Sequence, residues 1–104
     1  MIDLKQLQKD IYKNKLNKGF NVTDINKEFC LTYGEMAEAY EAWWKKQTDV
    51  GEEIADVVIY LLGLSEILNV DLENEILKKV NKNKHRQYKI IDGVNTRVKE
   101  YGEE

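Results

Sequence analysis

Between Ile54 and Leu68 the chain is apolar on almost every face of a helix, and no proline interrupts it anywhere. A segment of this kind cannot lie as a half-solvated surface helix, so other segments must pack around it. Val57, Leu61, Leu64 and Leu68 form one stripe; Ile54, Val58 and Leu62 form a second, which Ile59 widens. Proline is the strongest helix breaker, and its absence together with sparse glycine favours long helices. The fold class that follows is all-α.

Three further helices are expected around this one. The first covers about Asp3 to Asn17, with Leu4, Leu7, Ile11 and Leu16 at helical spacing, and stops near Gly19. The second starts from Thr23 or Asp24 as N-cap, with Ile25, Phe29, Met36, Tyr40 and Trp43 on one apolar face. Cys30, Ala37 and Trp44 add apolar surface on another side, and Gly34 in mid-helix suggests close packing against a neighbour. Gln47 to Val50 form the next turn, where Asp49 and Glu52 have the spacing of a capping box. The apolar helix then runs to about Asn69. Asp71 caps a fourth helix whose Leu72, Ile76, Leu77 and Val80 are expected to face the core. Beyond it, Asp92-Gly93 between the short apolar runs Ile90-Ile91 and Val94 signals a tight turn, and the segment is read as a small β-hairpin or an ordered tail.

Length and composition set the outer bounds. With 104 residues the chain fits one domain, residues 1–104, and can bury a small core. No apolar stretch is long enough to span a bilayer, and the N-terminus lacks the apolar core of a signal peptide, so the cytoplasm is the default compartment. Cys30 is the single cysteine, which leaves no internal disulfide and nearly excludes a cysteine-based zinc site. A net charge of −3 argues against nucleic acid as the main partner.

The chemistry lies in acidic doublets. Glu35 and Glu38 are three apart on the second helix, and Glu53 and Asp56 are three apart where the third begins. Residues at this spacing share a helical face. If the two helices pack face to face, four carboxylates converge into an oxygen site for a hard divalent cation such as Mg²⁺. Such a cluster is unstable when empty: at about 5 Å and an effective dielectric near 20, each pair repels by roughly 3 kcal/mol. On the residues alone a solvated reading stands equally, because acidic pairs at this spacing are common on surfaces. With 19 acidic residues roughly three such pairs arise by chance, and five occur, Glu100 and Glu103 among them. Glu53 and Asp56 stand apart because they open the apolar helix.

The pattern resembles the MazG-like branch of the all-α nucleotide pyrophosphohydrolases. That family carries E-E-x-x-E on one helix, E-x-x-D on the next, and Lys, Asn and Arg on a later helix. Here the matching residues are Glu35 and Glu38, then Glu53 and Asp56, then Lys79 or Lys82, Asn83 and Arg86. The resemblance covers roughly Leu4 to Asp92. It implies hydrolysis of a nucleoside triphosphate to the monophosphate and pyrophosphate, with Mg²⁺ as the usual ion and Mn²⁺ as a substitute. Glu35, Glu38, Glu53 and Asp56 would be the metal ligands. One departure is that Gly34 stands where the motif has its first Glu. In parts of the family that residue helps to activate the attacking water, so the general base is unassigned.

Other residues fit this reading. Lys79, Lys82, Asn83 and Arg86 recur at i, i+3, i+4 and i+7, one helical face with the charge that a triphosphate requires. Glu38, Arg86 and Lys82 are the expected catalytic residues. Against this stands a solvated, lysine-rich helix end that complements the helix dipole. Tyr60, one turn beyond Asp56, is placed to contact base or sugar; Phe20 and Trp44 are looser candidates. A di-iron bundle is excluded because it needs two Glu-x-x-His motifs and the chain has one histidine, His85. A non-catalytic helical oligomerisation module and a nucleic-acid binder remain the competing readings. Trp43 and Trp44 point about 100° apart on a helix. With the third helix apolar on more than one face, a four-helix protomer leaves an apolar patch that a second copy would cover. The expected assembly is a four-helix protomer completed by oligomerisation, and the family resemblance implies a homodimer or homotetramer.

Overall fold

The structure, a computed structural model, describes residues 1–99, so the Glu100/Glu103 pair lies outside the described residues. Helix α1 spans Leu4–Asn17, α2 Ile25–Trp44, α3 Val50–Ile67 and α4 Leu72–His85. Strands β1 (Gln87–Ile91) and β2 (Val94–Lys99) follow as an antiparallel pair. The four helices and the hairpin are those expected from the sequence. The chain divides into two compact units, the first from Met1 to Leu72 and the second from Glu73 onward.

In the first unit the starts of α1 and α2 are capped by aspartate side chains. Asp3 accepts a hydrogen bond from the Gln6 amide at 3.1 Å, and Asp24 accepts one from the Lys27 amide at 3.0 Å. Both residues have extended backbone, with ψ near 100°. Asp49, at the N-cap of α3, has ψ 19° and its side chain makes no capping bond. The expected capping box with Glu52 is therefore not formed: the Asp49 backbone departs from the extended conformation that an N-cap requires. At the end of α1 the chain reverses through Gly19 at φ +71°, a left-handed conformation that suits glycine.

Helix α3 packs against both α1 and α2 and is the central element. The buried apolar side chains among the described residues are Val57, Leu62 and Leu64 of α3 with Ala39 and Ala42 of α2. The expected apolar face of α2 turns outward instead. Ile25, Phe29, Met36, Tyr40 and Trp43 are all exposed, Trp43 to 65%. The inward stripe is Glu28, Thr32, Glu35, Ala39 and Ala42, at spacings of four, three, four and three. Alanines let the two helix backbones approach, and Glu35 of that stripe meets Glu53 of α3. Ile54, Val58, Ile59 and Leu61 of α3, and Leu68 just beyond its end, are likewise between 41% and 52% exposed.

Glycine roles also differ from the sequence expectation. A β-carbon at Gly34 would meet nothing within 4 Å, so Gly34 is not a packing glycine. The close approach is at Gly63, where a β-carbon would lie 3.3 Å from Lys15 Cδ and 3.4 Å from Ile11 Cγ2. There α1 crosses α3. The same two helices are tied by Gln8, which is 5% exposed. Its amide donates to Glu66 Oε1 at 3.0 Å and to the Val70 carbonyl at 2.6 Å, while its oxygen accepts from the Leu72 amide at 3.4 Å.

In the second unit α4 has no buried residue. Ile76, Leu77 and Val80, expected to face a core, are 41%, 64% and 52% exposed. A two-stranded hairpin is too small to cover such a stripe, and every residue of β1 is itself exposed. The hairpin turn is at Asp92-Gly93 as expected. Both residues have positive φ, 52° and 77°, which matches the twist of the flanking strands and pairs Ile91 with Val94. No helix among the described residues is long and apolar enough to cross a membrane.

Candidate active site

Helices α2 and α3 are joined by five residues, Lys45 to Asp49, with a reversal at Lys46 where φ is +58°. So short a connection sets the helices side by side. The doublet in the second half of α2 then meets the doublet in the first turns of α3. Glu35, Glu38 and Glu53 each offer a carboxylate oxygen, and the three oxygens lie within 4.8 Å of one another. Glu35 and Glu53 are half-buried and Glu38 is exposed. Asp56 is not part of this triplet, yet its charge acts on both Glu35 and Glu53.

The electrostatics show what this convergence does. Burial pushes the Glu35 carboxyl above its ordinary value, and repulsion from Glu38, Asp56 and Glu53 adds to it, as does a hydrogen bond with Glu38. Burial also raises Glu53, followed by the charges of Asp49, Asp56, Glu38 and Glu52. One Glu53 oxygen, Oε2, is buried with no hydrogen-bond partner. A buried carboxylate oxygen without a donor is unfavourable, and a cation would relieve it. Oxygens on opposite sides of an octahedral Mg²⁺ are roughly 4.2 Å apart, twice the usual ligand distance. The triplet is compatible with that spacing, so the donor set fits a hard divalent ion.

Tyr60 follows Asp56 by one turn of α3. Burial raises its phenol, and the charges of Glu35, Glu28, Asp56 and Glu38 raise it further. Its ring is therefore in the field of the acidic group. Tyr60 lines an open pocket of about 360 Å³ together with Lys15, Phe20, Ile11 and Ile59. A neighbouring pocket of about 340 Å³ shares Lys15, Phe20 and Tyr60 and adds Asn21 and Glu28. Two of the three aromatic candidates thus lie together. Trp44 lines neither pocket and is 66% exposed.

Lys15 and Glu28 were not singled out in the sequence. Lys15 Nζ forms an ion pair with Glu28 Oε1 and lies 5.5 Å from the centre of the Tyr60 ring. The signal for Glu28 was its place seven residues before Glu35, two turns away on one helical face. In a helix's first turn, however, glutamate ordinarily reads as a favourable partner of the helix dipole. Nothing in the local pattern marks Lys15, whose role arises from the α1–α3 crossing.

In the second unit, Lys79, Lys82 and Asn83 are on α4, while Arg86 follows the last helical residue, His85. The expected single helical face therefore ends one residue short of Arg86. Arg86 donates from its guanidinium to Asn83 Oδ1 at 3.1 Å, so the Asn83 oxygen is engaged within the chain. Lys82 and Arg86 are half-buried and Lys79 is exposed.

Comparison with known proteins adds two findings. The profile of the MazG-like family matches residues 22–103, which include all four acidic residues and α4. The mouse (Mus musculus) protein dCTP pyrophosphatase 1 is 33% identical over 66 residues, covering 51% of this chain and 38% of the relative. The chain thus matches less than half the length of that relative. No solved structure matches the chain.

Proposed function

The chain belongs to the MazG-like family, and from that premise we propose that it is a divalent-metal-dependent nucleotide pyrophosphohydrolase. The reaction is cleavage of a nucleoside triphosphate between the α and β phosphates, giving a monophosphate and pyrophosphate. The observation that carries this reading is the meeting of Glu35, Glu38 and Glu53 from two helices, with a buried Glu53 oxygen left without a partner. A solvated acidic surface gives no reason for an unpartnered buried oxygen.

Glu35, Glu38 and Glu53 would hold the ion, with Asp56 completing the set from one turn along α3. Mg²⁺ suits all-oxygen ligands, and Mn²⁺ is a workable substitute. When bound, the ion supplies charge neutralisation for the phosphates and a lowered pKa for a bound water. Glu38, the exposed member, is nearest to solvent and is assigned the catalytic contact with substrate. Lys82 and Arg86 are assigned the phosphate oxygens, with Lys79 contributing charge. Arg86 can place two parallel hydrogen bonds on a phosphate, and its bond to Asn83 presets the guanidinium. Tyr60 and Phe20 are assigned the walls of the base pocket. Gly34 leaves the general base without a candidate at that position. The name of the mouse relative makes deoxycytidine triphosphate the first substrate to test.

A homo-oligomer is part of the same proposal. Met36, Tyr40 and Trp43 on α2, with Ile54, Val58 and Leu61 on α3, leave an apolar surface that a soluble protein seldom leaves open.

Metal titration tests the reading. Millimolar Mg²⁺ or Mn²⁺ should raise the thermal midpoint by several degrees, because a ligand that binds only the folded state stabilises it. Glu53→Gln should remove that gain. A folded protein that neither ion stabilises, and to which neither binds by calorimetry, would overturn the metal site.

A further inference from the structure

Glu28 is the buried charge that the metal site does not use. The residue is 2% exposed, and one carboxylate oxygen is paired with Lys15. The other, Oε2, is buried and has no hydrogen-bond partner. An ion pair that only fastens α1 to α2 needs the first oxygen and gives no account of the second. Glu28 lines the pocket that Phe20 and Tyr60 border, and Lys15 lies between it and the Tyr60 ring. Glu28 is also two turns from Glu35 on the same face of α2, roughly 10 Å along the axis. That is about the span of a nucleotide from base edge to α-phosphate. The charges of both glutamates act on the Tyr60 phenol, and Tyr60 shares the pocket with Glu28.

We propose that Glu28 reads the substrate base, its free carboxylate oxygen accepting a hydrogen bond from an exocyclic amine while Lys15 donates to the adjacent ring nitrogen. The proposal rests on the pyrophosphohydrolase reading and names the substrate class of that site. An acceptor beside a cationic donor complements an amine beside a ring-nitrogen acceptor, the arrangement on cytosine. In the same pose uracil sets a carbonyl oxygen against the carboxylate, so two acceptors face one another. A hydrogen bond to a charged group corresponds to about a ten- to hundredfold preference. Glutamine at this position can keep its oxygen toward Lys15 and offer its amide N–H to the base, which reverses the sense of the contact.

The experiment measures kcat/KM for the triphosphates of deoxycytidine, deoxyuridine and the deoxyribonucleoside of pyrimidin-2-one, which lacks the amine. Binding of the three monophosphates is measured in parallel by calorimetry. The wild-type protein should prefer the cytosine compounds over both others by about ten- to hundredfold. In Glu28→Gln the cytosine-to-uracil ratio should fall to one or below. Equal use of cytosine and pyrimidin-2-one by the wild type would overturn the proposal whether or not the variant folds. So would a Glu28→Gln protein that loses thermal stability but keeps the wild-type ratio, which is the mark of a structural ion pair. A protein that discriminates among the monophosphates in binding but releases no pyrophosphate would overturn the pyrophosphohydrolase reading and leave base reading by Glu28 supported.

Discussion

The Lys15 ammonium on α1 is paired with the Glu28 carboxylate on α2, and the two side chains are 13% and 2% exposed. The pair links two helices that each pack mainly on α3. Removing one member leaves the other charge buried without compensation. Lys15→Met or Glu28→Leu alone should therefore destabilise the protein by about 3–5 kcal/mol, and the double variant by far less. Urea unfolding of the three variants measures this. Additive losses in the double variant would show that the two charges do not interact.

The carboxylate variants separate the site from its surroundings. Glu38→Gln, Glu53→Gln and Asp56→Asn should each lower activity by more than about a hundredfold, beyond the loss caused by disturbing an outer partner of a metal ligand. Each should stay folded, because each removes repulsion from the metal-free cluster. Glu52→Gln should retain most activity: it forms no capping box and lies outside the triplet. Steady-state kinetics with circular dichroism decide. Equal losses at Glu52 and Glu53 would move the second doublet by one residue.

Stability of the metal-free protein should depend on pH in a defined direction. Glu35 and Glu53 both have folded-state values raised above the ordinary 4.5. Between that value and the raised ones, the folded chain binds more protons than the unfolded chain, so stability falls as pH increases. Glu41, held low by Lys45, acts in the opposite sense, but it is an exposed pair of small effect. Thermal midpoints without metal should therefore decline as pH rises from about 4.5 through the raised values and level off above them. With saturating Mg²⁺ the decline should vanish or reverse, since the ion binds the deprotonated carboxylates. A metal-free midpoint that rises over this range would contradict the cluster.

The outward apolar stripe of α2 and the exposed half of α3 call for a second copy. Sedimentation at micromolar concentration should show a dimer or larger assembly, a two-fold dimer being the commonest solution. A stable folded monomer at that concentration would refute it.

Much of this arrangement can be read from the chain. Helix starts at Asp3 and Asp24 are local events, and local hydrogen-bonding rules suffice for them. The Asp92-Gly93 turn is local for the same reason. The doublets were legible because i,i+3 spacing survives any packing. What could not be read was which side of α2 faces α3. Hydrophobic periodicity selects Phe29, Tyr40 and Trp43, yet the helix turns Glu28, Glu35 and two alanines inward. A helix that buries acidic residues and leaves aromatic ones exposed defeats the usual inference from apolar to buried. The α4 stripe misled in the same way. Gly63 and Lys15 were invisible because their contact is made by the crossing of α1 and α3, which no local pattern encodes.

Product analysis reads out pyrophosphate release at the α2–α3 carboxylates. Purified protein is incubated with Mg²⁺ and a panel of ribo- and deoxyribonucleoside triphosphates, and the products are resolved chromatographically. Monophosphate and pyrophosphate should form in equal amounts from at least one of them, and a chelator or Glu53→Gln should abolish both. Release of diphosphate and orthophosphate, or no turnover of any triphosphate by folded protein with Mg²⁺ or Mn²⁺ present, would contradict pyrophosphate release at this site.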